Sequence, residues 1–105
     1  MAQFLFAYHG GKMPESDEDA ASVMQKWQSW LGGMGDAAVD PGNPVGQSST
    51  VHANGEVTDN GGANPVSGYS IVAAADLESA LQMAKGCPIL EMDGSVEVAE
   101  IFDMP

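Results

Sequence analysis

A chain of 105 residues, 44% of them hydrophobic, has the size and composition of a single folded domain, residues 1–105, rather than of a disordered segment. Fifteen acidic residues stand against three lysines and no arginine, a formal net charge of −12, and this disfavours nucleic acid and anionic membranes, which are both recognised through basic groups. The single cysteine, Cys87, excludes an intramolecular disulfide and fits a reducing, cytoplasmic setting.

The opening MAQFLFAYHGGK carries an apolar run with no basic flank, too short to cross a bilayer, and it reads as a strand over 3–8. Phe4, Phe6 and Tyr8 fall on one face, Leu5 and Ala7 on the other, so both faces are apolar. After the loop at 9–14, Ser16 is placed to cap a helix over 17–34, with Asp17, Glu18 and Asp19 loading its first turn. Ala20, Val23, Met24, Trp27, Trp30, Leu31 and Met34 form its apolar stripe, and Gly32, Gly33 and Gly35 bring it to an end.

Residues 36–47 contain Pro41-Gly42-Asn43-Pro44, a turn-rich bridge with room for a short edge strand. The runs 49–53 and 56–58 flank Asn54-Gly55, the strongest hairpin signal in the chain. A glycine-rich loop over 59–65 leads to a strand at 69–74, apolar or small on both faces. Asp76 caps a second helix that runs to Lys85, with Leu77, Ala80, Leu81 and Ala84 as its stripe; Gly86 and Pro88 stop it. The last strand is expected over 95–102. The predicted class is α+β with an antiparallel sheet. Two helices cover one face of such a sheet, so the second apolar face calls for a symmetric partner.

The stretches FLFAYHGGKMPE, W-x-x-W-L-x-x-M-G from Trp27, VDPGNPVG, VTDNGGANPVSGYSIV, and AKGCP followed by GSVEVAEI run nearly the length of the chain. In order and spacing they resemble the YCII-related proteins, also called the DGPF-domain group, of the dimeric α+β barrel superfamily. The resemblance implies a ferredoxin-like βαββαβ monomer and a homodimer whose sheets pack face to face. It also implies a cleft between sheet and helices that takes a small molecule. The wider superfamily includes isomerases, monooxygenases and haem enzymes, and one YCII-like branch resembles dehydrochlorinases. Some DGPF-type relatives are linked to alternative sigma factors, which implies a regulatory role. Two departures stand out. Asp59-Asn60-Gly61-Gly62 replaces the tetrapeptide that names the group, and Ile89 stands where a histidine is expected after Cys87-Pro88.

His9, at a strand end beside Gly10-Gly11, is the candidate acid or base, with Asp36 or Asp40 as carboxylate partners. Tyr8, Trp30, Asn43 and Tyr69 join it as candidate ligand-binding residues. His52 reads as an exposed hairpin residue. His9, His52 and Cys87 lack metal-ligand spacing, so neither a metal nor another cofactor is expected. Cys87 follows a helix C-terminus, whose negative end raises a thiol pKa and makes a poor nucleophile. Two functional readings follow. One is a small-molecule binder with lyase- or isomerase-like acid–base activity at His9; the other is a non-catalytic regulatory or protein-interaction module, in which the acidity serves a basic partner.

Overall fold

The computed structural model describes residues 1–104. In chain order the elements are β1 (Ala2–His9), α1 (Asp17–Met34), β2 (Ala38–Asp40), β3 (Thr50–Val51), β4 (Val57–Thr58), β5 (Val66–Ala74), α2 (Leu77–Ala84) and β6 (Ser95–Ile101), with short 3-10 turns at Gly35–Ala37 and Pro88–Met92. Two helices and an antiparallel four-stranded sheet, ordered β2-β5-β1-β6, make an α+β fold. β3 and β4 form a separate two-stranded hairpin.

Local chemistry sets the helix limits. The Ser16 hydroxyl accepts from the Asp19 N–H at 3.1 Å and starts α1, satisfying a donor that has no partner within the helix. α1 runs through Gly32 and Gly33 and ends where Gly35 takes a φ of 57° and returns its N–H to the Gly32 carbonyl. Asp76 does for α2 what Ser16 does for α1, its carboxylate accepting from the Ser79 N–H at 2.8 Å. The hairpin at Asn54-Gly55 forms, but each of its strands is only two residues long. β5 begins at Val66 rather than at 69, because Gly68 lets the chain from Asn43 and Pro44 lie close against it and continue the pairing.

Phe4, Phe6, Tyr8, Val72, Ala74, Ala80 and Ala84 form one buried cluster, and Trp27, Trp30, Met83, Val96 and Val98 pack against it. Both helices therefore cover the same face of the sheet. The stripe of α1 is narrower than its sequence pattern: Ala20 and Met24 are exposed, and no residue of the helix is fully buried. The helix leans on the sheet mainly through its two indoles. The other face carries Leu5, Ala7, Tyr69, Ile71 and Ala73, all half-buried and none part of the core cluster. The Cα envelope measures 44 × 43 × 18 Å, a slab one sheet and one helix layer thick. No helix is long and apolar enough to cross a membrane among the described residues.

Candidate functional site

β1 ends in an irregularity. Tyr8 pairs with Gly68 and His9 with Val66, so Ser67 bulges between the two pairs. Alternation along β1 puts His9 on the same side as Leu5 and Ala7, away from the helices. Glu97 lies opposite Ala7 in the β1–β6 pairing and so shares that face. The His9 Nε2 is 2.9 Å from Glu97 Oε1, and its Nδ1 is 2.9 Å from the Asn64 carbonyl oxygen. Both neighbours are acceptors, an arrangement suited to the imidazolium, and the hydrogen bond to Glu97 is the main cause raising the His9 pKa above its ordinary value.

The two contacts differ in permanence. The His9 side chain is 12% exposed, whereas that of Glu97 is 70% exposed and can swing into solvent. Asn64 offers a backbone oxygen that stays put. Once neutral, His9 keeps its proton on Nδ1 against that carbonyl, and Nε2 becomes a base on the open face. Ser67, the bulged residue, has a buried Oγ with no hydrogen-bond partner among the described residues.

The carboxylate partner expected from Asp36 or Asp40 is therefore Glu97 instead. The Asp40 Oδ1 accepts from the Gly42 N–H at 2.9 Å, a turn contact within its own loop. Glu97 is 88 residues from His9, and only the β1–β6 register brings the two together.

Tyr8 and Trp30 do not join His9. Tyr8 is 4% exposed, and its hydroxyl donates to Ser70 Oγ at 2.7 Å, which donates in turn to the Pro41 carbonyl at 2.7 Å. Burial drives its phenol pKa above the ordinary range. The Trp30 indole donates to the Met83 carbonyl at 3.0 Å and stacks on Phe6 with ring centroids 6.1 Å apart. Trp27 meets Tyr8 edge-on at 5.0 Å. These rings fill the space between sheet and helices, the place where the resemblance implies a cleft. Tyr69 does lie on the His9 face, opposite Ala7 in β1. Asn43 stands in the exposed loop beyond, its carbonyl accepting from the Tyr69 N–H at 3.2 Å.

Two concavities lie elsewhere, and none of the five sequence candidates lines either. One of about 440 Å³ separates α1 from the 88–92 turn, with Ser22, Lys26, Ser29 and Glu91 on its walls. The other, about 460 Å³, runs between α2 and β6 over Leu81, Ala84, Leu90, Val96 and Val98. Cys87 is buried, and burial, rather than the helix end, pushes its thiol up to about 11 against the lowering hydrogen bond from the Ile89 backbone. His52 is exposed, its Nε2 2.6 Å from Thr58 Oγ1. No group of three or more His, Cys, Asp or Glu is placed to hold a metal among the described residues. Compared with known protein families and with curated proteins, the chain matches none.

The His9 contacts predict a pH dependence of stability. The folded-state pKa is raised, so the stabilisation is fully present below the unfolded value of about 6.5 and is lost as pH rises through the folded one. Thermal melts of wild type and His9→Gln are expected to differ most at and just below pH 6.5, and the gap to narrow as the pH rises through the raised folded-state value. A gap that widens with rising pH would contradict the assigned contacts.

Proposed function

We propose that this chain is a YCII-related subunit of ferredoxin-like βαββαβ layout, that two copies pack through their open sheet faces, and that His9 exchanges a proton there with a small molecule in lyase- or isomerase-like chemistry. The sheet order β2-β5-β1-β6 supports the layout, because it sets the last strand beside the first with the hairpin-side strands following. Charge supports the pairing. Of 15 acidic residues in the chain, the four-stranded sheet presents only Asp40, opposite Ile71 at the β2 edge, and Glu97 on the open face, and His9 neutralises Glu97. A strongly acidic protein meets least repulsion from its own copy on the face that carries fewest unpaired charges.

The observation that carries the chemistry is the His9 corner. One ring nitrogen is fixed by a backbone oxygen, and the other faces a carboxylate that solvent exposure leaves displaceable. A carbonyl or carboxyl oxygen of a ligand can take the place of Glu97 at Nε2.

Light scattering at micromolar concentration is expected to give a dimer. Titration with small carboxylates and aromatic carbonyl compounds is expected to shift the His9 ring resonances and the neighbouring β1 and β6 amides, and His9→Gln to remove the amide response. A monomer would end the pairing, and silence from every compound class would end the acid–base role. The second reading, a non-catalytic interaction module, draws on the fact that both nitrogens of His9 already have partners within the protein. In that case His9 serves to fasten the 59–65 loop to the sheet.

A further inference from the structure

The two edges of the sheet are treated differently. β2 is three residues long, irregular in its pairing with β5, and followed by Pro44, which bridges to Gly68. Such an edge offers little to a further strand. β6 runs regularly for seven residues, carries neither proline nor lysine, and has no strand on its outer side among the described residues.

Beside this edge lies the groove of about 460 Å³ between α2 and β6. Leu81 and Leu90 on its walls are 41% and 43% exposed, and Leu77 on the same helix is 49% exposed. Val96 and Val98 form its floor on the helix side of β6. A row of unpaired backbone groups thus runs next to an apolar trough. An extended peptide uses both when it adds to a sheet, the edge through its main chain and the trough through alternate side chains.

The charges around the edge select the occupant. Glu100 lies on β6 on the same side as Val96 and Val98, and Glu78 on the groove wall, with Lys85 the cation among the groove's described lining residues. A second copy of this chain brings another −12 and its own Glu78 and Glu100 to the same edge, so pairing two such edges sets like charges together. Lysine or arginine on an incoming strand finds the opposite sign.

We propose that the outer edge of β6 binds an extended segment of a basic partner protein, its apolar side chains entering the α2–β6 groove and its cationic ones meeting Glu78 and Glu100. This edge is separate from the open sheet face, so the proposal stands apart from the pairing of copies and from the role of His9.

The test uses the full chain, isotope-labelled, with a short synthetic peptide of alternating valine and lysine. Saturable shifts are expected in the β6 amides and in the methyls of Leu81, Leu90, Val96 and Val98, weakening about tenfold or more from low to high salt. The valine–glutamate counterpart is expected not to bind. Methylating alternate peptide nitrogens, which removes main-chain donors without touching the protein, is expected to abolish binding. Leu81→Gln and Leu90→Gln, which remove apolar surface without adding charge at positions 41% and 43% exposed, are expected to weaken it at least about tenfold. The proposal is overturned if shifts scatter over the acidic surface without saturating, if the methylated peptide binds as well as its parent, or if the edge proves to be occupied by a second copy of this chain.

Discussion

Gly42→Ala is expected to lower the stability of the fold by about 3 kcal/mol or more, far beyond what loss of a single glycine in a loop ordinarily does. Gly42 adopts a φ of +74°, in the left-handed region that costs a side-chain-bearing residue roughly 1–2 kcal/mol. A Cβ placed there falls 1.6 Å from the Tyr69 carbonyl oxygen and 2.6 Å from its carbon, both backbone atoms of a central strand that cannot step aside. The loop has to lift instead. It carries the Pro41 carbonyl that ends the Tyr8–Ser70 chain and the Asn43 carbonyl that receives the Tyr69 N–H, so the change frees buried polar groups as well as β2. For a domain of this size the melting midpoint should fall by roughly 10–20 °C. Two controls isolate the cause. A methyl group at Gly46 would meet no neighbour within 4 Å, and the backbone there is not left-handed, so Gly46→Ala should be nearly silent. Gly33 lies inside α1 with the same open space, and Gly33→Ala should raise stability by about 0.5–1 kcal/mol through helix propensity. If all three variants melt together, the close approach of loop and strand is wrong.

That close approach lies beyond the reach of the sequence. Pro41-Gly42-Asn43-Pro44 announces a turn, but nothing in it says that the turn lies flat against Tyr69, a contact made across 27 positions by the pairing of β2 with β5. What local chemistry controls is legible: the caps Ser16 and Asp76, the two helices they start, the Asn54-Gly55 hairpin and the two-faced first strand. The 3-10 turn at Pro88–Met92 is not, because Pro88 signals only that a helix cannot resume.

The candidate site divides along the same line. His9 stands out from its place at a strand end, while its partners Glu97 and Asn64 depend on register and loop path. Grouping Tyr8 with His9 goes against the sequence itself. The two are neighbours on a strand, and a period of two sends them to opposite faces, so no one pocket in a single chain takes both side chains. Glu97 has a faint signal of its own as a charged residue set between valines in SVEVAEI, which marks the face of β6 turned away from the core.

Phe6→Ala should have the largest effect of any substitution considered, a loss of about 3–5 kcal/mol. Phe6 is 0% exposed on a central strand, with Ser70 opposite it on β5 and Val98 on β6. Its removal leaves a cavity that rigid strands on both sides cannot close. The loss is a large part of the roughly 5–15 kcal/mol that holds a domain of this kind together. The consequence reaches further than the cavity. α1 has no fully buried residue and rests on the sheet through Trp27 and Trp30, which in turn rest on Phe6 and Tyr8. With the Phe6 ring gone, Trp30 loses its stacking partner, and α1 should loosen before the sheet does. Tryptophan fluorescence should therefore shift to the red at temperatures or denaturant concentrations where the far-ultraviolet signal of the strands is still native. Phe6→Leu, which keeps most of the volume, should lose less than half as much and melt as one unit. Phe102→Ala, at a position 78% exposed, should change neither signal. Coincident fluorescence and circular-dichroism transitions in Phe6→Ala would show that α1 is held by contacts other than this aromatic stack.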